Sequence, residues 1–227
     1  MEHEGIDSEK YAEYDGLEQE IIHPEVIKML GNINNKRIAD YGCGEGRLLL
    51  DLVQRGAIGQ GFDISKGMIR KAKKNLGSKV SLEVIQSGKI PVESQSLDAV
   101  VSKFVLMMCS FDDIKNIFRE VERVLKTGGK WIYAITHPAF SDRDFNTYRN
   151  IFPNGRNYFE KGQPYQFVLK SKNGKEVTDS SFIDHHYSLS SYLNLLPENG
   201  FNFEEMMEVQ VPGNELPPYL IVKGSKK

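Results

Sequence analysis

Ile38-Ala39-Asp40-Tyr41-Gly42-Cys43-Gly44-Glu45-Gly46-Arg47 is the stretch whose reading decides the fold. A short, mainly apolar run leads into glycines at alternate positions, and Leu48, Leu49, Leu50, Leu52 and Val53 follow in a helical pattern. The order is a buried strand, a glycine-rich turn and a helix. Glycines at 42, 44 and 46 let the backbone turn tightly and approach a ligand that a side chain would push away. A turn of this kind holds its ligand at the mouth of a parallel sheet, beside a helix N-terminus.

Two details bear on which ligand. A dinucleotide fingerprint reads G-x-G-x-x-G, its third glycine allowing close helix–strand packing. Here Arg47 holds that third place and the glycine falls one residue early, at Gly46. Pyrophosphate favours bare amides and positive potential, yet Asp40 and Glu45 bracket the loop with negative charge. A carboxylate at 40 suits an ammonium or a sulfonium, which is the electrostatics of S-adenosylmethionine and not of NAD. Residues 57–62 read as a second strand ending in Asp63, where a carboxylate can accept from two ribose hydroxyls. Both adenosine cofactors need that contact, so Asp63 does not discriminate. Ile64 and Met68 stand where they can flank an adenine ring, and Ser65 is a good N-cap for a helix running to Leu76.

Asp40-Tyr41-Gly42-Cys43-Gly44-Glu45-Gly46 followed by Gly61-Phe62-Asp63-Ile64-Ser65-Lys66-Gly67-Met68 resembles the first two motifs of class I S-adenosylmethionine-dependent methyltransferases of the small-molecule type. The likeness continues through Pro91 to Val101, similar to the family's fourth-strand motif, and through Leu125-Lys126-Thr127-Gly128-Gly129-Lys130-Trp131, similar to its glycine turn before the fifth strand. It covers about residues 36–136, with order and spacing intact. The resemblance implies S-adenosyl-L-methionine as cofactor, with contacts from Asp40, Gly42, Cys43, Gly44, Asp63, Ile64, Met68 and Lys103. The family usually has an aspartate where this chain has Gln86. The Gln86 amide oxygen can accept the adenine amino group without the charge, and Ser87 beside it is the other adenine candidate. Tyr11 and Tyr14 share one face of a short helix; related methyltransferases often fold such a segment over the cofactor, and packing on the sheet edge is the alternative.

Composition narrows the field. The formal net charge of −2 argues against a nucleic-acid binder, which usually shows a basic face. Ser102-Lys103-Phe104-Val105 also lacks the prolines of the Asn/Asp-Pro-Pro-Tyr motif carried by nucleic-acid amino methyltransferases. Two cysteines, Cys43 and Cys109, are too few for a metal cluster and read as small buried thiols. The acidic, polar start lacks a secretory signal, and no apolar run approaches the ~18 residues of a membrane span. A soluble cytoplasmic protein acting on a small-molecule acceptor is expected, with neither nucleic acid nor membrane as partner and the oligomeric state left open.

Along the chain, helices are expected at 24–31, with Pro24 in the first turn, and at 112–126, capped by Asp112 or Asp113 and ended by Gly128. Strands are expected near 37–41, 57–63, 80–86, 97–103 and 130–136. The alternation then stops. The segment between His137 and Tyr187 holds six of the 12 phenylalanines and four of the 10 tyrosines. Disordered segments are poor in aromatics, so an ordered lid is expected, with a hairpin at Asn173-Gly174. A helix at 189–199 and strands at 201–211 and 216–223 close the chain. The whole reads as an α/β fold, a doubly wound, mostly parallel seven-stranded sheet with helices on both faces and an inserted lid after the fifth strand. One domain over 1–227 is divided into an N-terminal helical segment at 1–35, a cofactor-binding core at 36–137, a lid at 138–187 and a C-terminal helix and strand pair at 188–227.

Ligands of open α/β sheets bind outside the carboxyl ends of the strands. His137 follows the fifth strand directly and is expected at the crevice rim, as acceptor-side base or as a turn residue bonded to backbone. His185 and His186 end the aromatic segment, and adjacent side chains in extended chain point opposite ways, so at most one faces the acceptor; His186 is the candidate, and a helix-entry histidine packing on the lid is the alternative. Nothing identifies the acceptor atom as oxygen, nitrogen or carbon. The expected activity is methyl transfer by in-line displacement. A non-catalytic module that binds S-adenosylmethionine or S-adenosylhomocysteine for regulation, and a nicotinamide-dependent oxidoreductase, are the alternatives.

Overall fold

The computed structural model describes residues 17–171 and 173–227. A seven-stranded sheet is built from β1 (Arg37–Tyr41), β2 (Ile58–Asp63), β3 (Ser81–Val84), β4 (Leu97–Lys103), β5 (Leu125–Thr136), and two late strands, β9 (Phe201–Val209) and β10 (Tyr219–Lys226). Its order is β3-β2-β1-β4-β5-β10-β9, and only β10 runs antiparallel to both its neighbours. The order reverses between β1 and β4, and a crevice at such a point is where open sheets bind ligands.

Helices cover both faces because the central strands are apolar on both. On β5, Trp131, Tyr133 and Ile135 join one buried cluster while Ile132 and Ala134 join the other. The first cluster packs against α4 (Phe111–Val124), whose Ile114, Ile117, Phe118, Val121 and Val124 are fully buried. Each such side chain contributes on the order of 1.5–3 kcal/mol relative to an exposed one. The second packs against α1 (Leu17–Leu30) through Ile22, Val26, Met29 and Leu30. A third, smaller cluster joins α2 (Arg47–Gln54) and α3 (Lys66–Leu76) through Leu49, Ile69 and Ala72 to Leu82 on β3.

Several boundaries differ from expectation. The first described helix begins at Leu17, so Pro24 lies inside it and not in its first turn. Ser110 caps α4, accepting from the Asp113 amide, and the helix ends at Val124. The Arg123 and Val124 carbonyls are taken by the amides of Gln95 and Ser96, and Leu125 already pairs with β4, so Gly128 stops no helix. The expected helix at 189–199 divides into α5 (Leu189–Leu193) and α6 (Leu195–Glu198), the second containing Pro197, which has no N–H for an intrahelical bond.

The segment after β5 folds as a separate antiparallel sheet of β6 (Tyr148–Ile151), β7 (Gln163–Lys170) and β8 (Glu176–His186). The turn between β7 and β8 contains Gly174 at φ +72°, as the Asn173-Gly174 pair suggested. Two tyrosines tie this small sheet to the large one. The Tyr148 hydroxyl donates to the Pro218 carbonyl at 2.6 Å, and the Tyr187 hydroxyl to the Cys109 carbonyl at 2.9 Å. Among the described residues, no helix is long and apolar enough to cross a membrane.

Candidate active site

The glycine turn and the second strand form one unit. The amides of Gly42 and Cys43 both donate to the Phe62 carbonyl, at 2.7 and 3.0 Å. Asp63 accepts from the Gly44 amide through Oδ2 and from the Ser65 amide through Oδ1, each at 2.8 Å. These bonds clamp the loop against the end of β2. A side chain at Gly42 would run into Val105, whereas a Cβ built at Gly44 meets nothing within 4 Å. Both have positive φ, 76° and 55°. Gly42 is thus small for packing, and Gly44 faces open space.

Asp40 is 2% exposed, and burial pushes its carboxyl up to about 7, against the pull of Lys103 and with a further push from Asp63. Asp63 is also raised by burial, held back by the amides of Ser65, Gly44 and Ile64. A cation bound here would relieve both carboxylates. Lys103 ends β4, where Phe104 takes a left-handed backbone at φ 57° and donates its amide to Ala134. Such strain in a non-glycine residue tends to gather at functional sites. The Lys103 ammonium meets His23 Nε2 at 3.0 Å, and His23 Nδ1 meets Asp51 Oδ2 at 3.1 Å.

Gln86 is exposed and Ser87 half-buried, just past β3. The Ile85 amide donates to the Asp63 carbonyl, and the Gly88 amide donates to the Tyr41 hydroxyl at 2.8 Å. The segment carrying both residues is thereby fastened to β1 and β2. Ile64 is 46% exposed beside them, while Met68 is only 3% exposed in α3, so Ile64 alone of the expected pair offers an open face. Cys43 is buried, its thiol pushed up by burial and by the charges of Asp40 and Asp63. Tyr11 and Tyr14 lie outside the described residues.

Of the two places expected for each histidine, the structure shows the packed one, with His137 a turn residue bonded to backbone and His186 buried in the lid. His137 is 2% exposed, not open at the rim. Its Nε2 meets Glu208 Oε1 at 3.1 Å, its Nδ1 accepts from the Ala139 amide at 3.2 Å, and its own amide donates to Pro218. Burial lowers its pKa, against the opposing pull of Glu208. His186 is buried as well, with Nε2 3.1 Å from the Tyr158 carbonyl and Nδ1 3.3 Å from Ser141 Oγ. In both rings each nitrogen already has a partner, so neither presents a free lone pair to an acceptor. Sequence reasoning passed over Asp184, two residues from His186 on β8 and buried. Its signal was an acidic residue alternating through the otherwise aromatic and aliphatic run Phe182-Ile183-Asp184.

Residues 38–129 match a protein family described as a methyltransferase domain. A demethylmenaquinone methyltransferase of Lactococcus lactis is 31% identical over 65% of this chain and 62% of its own length. An N-demethylindolmycin N-methyltransferase of Streptomyces griseus is 26% identical over 85% of this chain and 81% of its own. The first four curated relatives are matched over 41 to 62% of their lengths. Among solved structures, an S-adenosylmethionine-dependent methyltransferase from Mesorhizobium loti superposes with a TM-score of 0.69 at 22% identity, covering 89% of this chain and 96% of that one. The clamped glycine turn, the sheet order and the family match point to one class: residues 38–129 are similar to the methyltransferase domain, on the fold of solved S-adenosylmethionine-dependent methyltransferases. The cofactor of that class suits the residues present. Asp40 is a buried carboxylate and Asp63 a half-buried one, and the open space at Gly44 is room that a Cβ would take from a ligand.

Proposed function

We propose that this protein transfers a methyl group from S-adenosylmethionine to a small-molecule acceptor held between the strand ends and the inserted β6–β8 sheet. The observation that carries this reading is that two differently built elements meet the same end of the large sheet. One is the clamped loop with Asp40, Gly44 and Asp63; the other is an aromatic sheet tied down by Tyr148 and Tyr187. The small-molecule acceptors named for the Lactococcus and Streptomyces relatives support it.

In this reading Asp63 accepts from the ribose hydroxyls, and Asp40 balances the positive charge of the methionine portion. Lys103, beside Asp40, takes the carboxylate end. Gln86 and Ser87 meet the adenine edge, with Ile64 against its face, while Gly42 and Cys43 shape the loop. When bound, the cofactor supplies an electrophilic methyl on a sulfonium. The protein's share is to hold the acceptor atom in line with that methyl and to keep water out, and a fixed near-attack geometry is worth several kcal/mol. The inserted sheet at 138–187 serves as the wall that excludes water. His137 and His186 act as positioning residues for that wall.

The test is calorimetric titration with S-adenosylhomocysteine, with NAD in parallel, followed by acceptor screening with labelled S-adenosylmethionine. Micromolar binding of S-adenosylhomocysteine alone, with methyl label appearing in a small aromatic acceptor, is the expected result. Binding of NAD alone would overturn it.

A further inference from the structure

We propose that Asp184 anchors the acceptor in this site and that the acceptor it selects carries a basic nitrogen; the inference rests on the methyl-transfer reading above. Asp184 lies on β8 directly opposite Tyr165 on β7 and is 3% exposed. Its hydrogen bond among the described residues comes from the Tyr165 hydroxyl, at a long 3.5 Å. The titratable groups that feel its charge are uncharged ones: Tyr148 on β6, Tyr165 on β7, Tyr192 on α5 and Cys109 after β4. Among the described residues no lysine, arginine or histidine acts on it to offset burial.

A carboxylate held in such surroundings opposes folding, because it has given up water for one weak hydrogen bond. Burial pushes its carboxyl up to about 7. The arrangement becomes favourable once a ligand brings the missing positive charge, and tyrosine rings around the carboxylate add their own attraction for a cation. The position is the right one for an acceptor. The Tyr165 hydroxyl also meets the Thr136 side chain at the end of β5, and Cys109 follows β4. Asp184 therefore stands over the strand ends that carry Lys103 and Thr136, the end of the sheet that also holds Asp40, Gly44 and Asp63.

The chemistry balances with these groups alone. An ammonium docked on Asp184 gives its proton to a carboxylate oxygen; the N–H bond breaks and its electron pair stays on nitrogen. The amine so formed has the lone pair that attack on a methyl group requires. A hydroxyl acceptor would donate a hydrogen bond to the Asp184 carboxylate but bring no positive charge to offset its burial.

The experiment begins by saturating the protein with S-adenosylhomocysteine, which tests the cofactor reading separately. Matched pairs are then titrated calorimetrically: tryptamine with tryptophol, tyramine with tyrosol, and benzylamine with benzyl alcohol. At least one amine is expected to bind about tenfold or more tightly than its alcohol, and the preference to vanish in Asp184→Asn. Equal binding within every pair, a preference that survives in the variant, or no amine binding at all would overturn the inference. Thermal melting of the unliganded proteins at pH 8 gives an independent reading. Asp184→Asn should melt higher than the parent, because an unneutralised charge is removed; a lower melting temperature would mark a structural carboxylate and overturn the proposal.

Discussion

The Gly44 amide donates to Asp63 Oδ2 at 2.8 Å, so the glycine loop and the carboxylate that ends β2 hold each other in place. Substitution at 63 therefore removes the carboxylate proposed to meet the ribose and loosens the loop together. Asp63→Ala is expected to weaken S-adenosylhomocysteine binding by about tenfold or more, the worth of one or two charged hydrogen bonds. Asp40→Asn should weaken it comparably through loss of charge. Calorimetric titration measures both, and near-parental affinity in the pair would show that the crevice is elsewhere.

Gly42 and Gly44 should separate packing from binding. Gly42→Ala drives a methyl group into Val105 and is expected to cost about 2–4 kcal/mol of stability. Gly44→Ala meets no protein atom and should cost only about 1 kcal/mol, for its positive φ. Its larger effect is expected on S-adenosylhomocysteine affinity, because the methyl enters the space proposed for the cofactor. Denaturant unfolding and titration of both variants check the contrast.

His137→Ala should behave as a stability variant. The ring's bonds to Glu208 and the Ala139 amide disappear, and a loss of about 1–3 kcal/mol is expected. Affinity for S-adenosylhomocysteine should be unchanged. A parental unfolding midpoint would contradict the structural role.

His23 makes a pH-dependent tie between α1 and the crevice. Burial first, and the charge of Lys103 next, push its ring down to about 4. The unfolded ring titrates near 6.5 and so binds the proton more readily than the folded one. Its contribution is therefore complete above pH 6.5 and is lost as pH falls toward 4. Lowering the pH from 7.5 to 5 should remove about 1–2 kcal/mol that a His23→Gln variant does not lose. Urea unfolding of both proteins at the two pH values measures the difference.

The sheet and its clamped glycine turn were legible because local chemistry determines them. Glycines at turns, apolar runs in buried strands and Ser65 as a cap act over a few residues, and Ser65 Oγ does accept from the Met68 amide. What escaped notice depends on distant partners. The carbonyls that end α4 are claimed by Gln95 and Ser96, so the strand begins earlier than its own pattern suggests. The environments of His137 and His186 are set by Glu208, Ser141 and Tyr158, none of them a sequence neighbour. Asp184 was overshadowed by the histidines beside it, since its isolation among tyrosines exists only once β6, β7 and β8 have come together.

The residues matched to the methyltransferase family and the β6–β8 sheet occupy consecutive, non-overlapping stretches of the chain, 38–129 and 148–186. That separation makes the protein evolvable. Side chains on β6, β7 and β8 can drift, or the whole sheet can be exchanged between its ends at β5 and α5, while the loop from Asp40 to Gly46 keeps its bonds to β2. On the proposed reading, selection for a new acceptor can therefore act on one block without retuning the other.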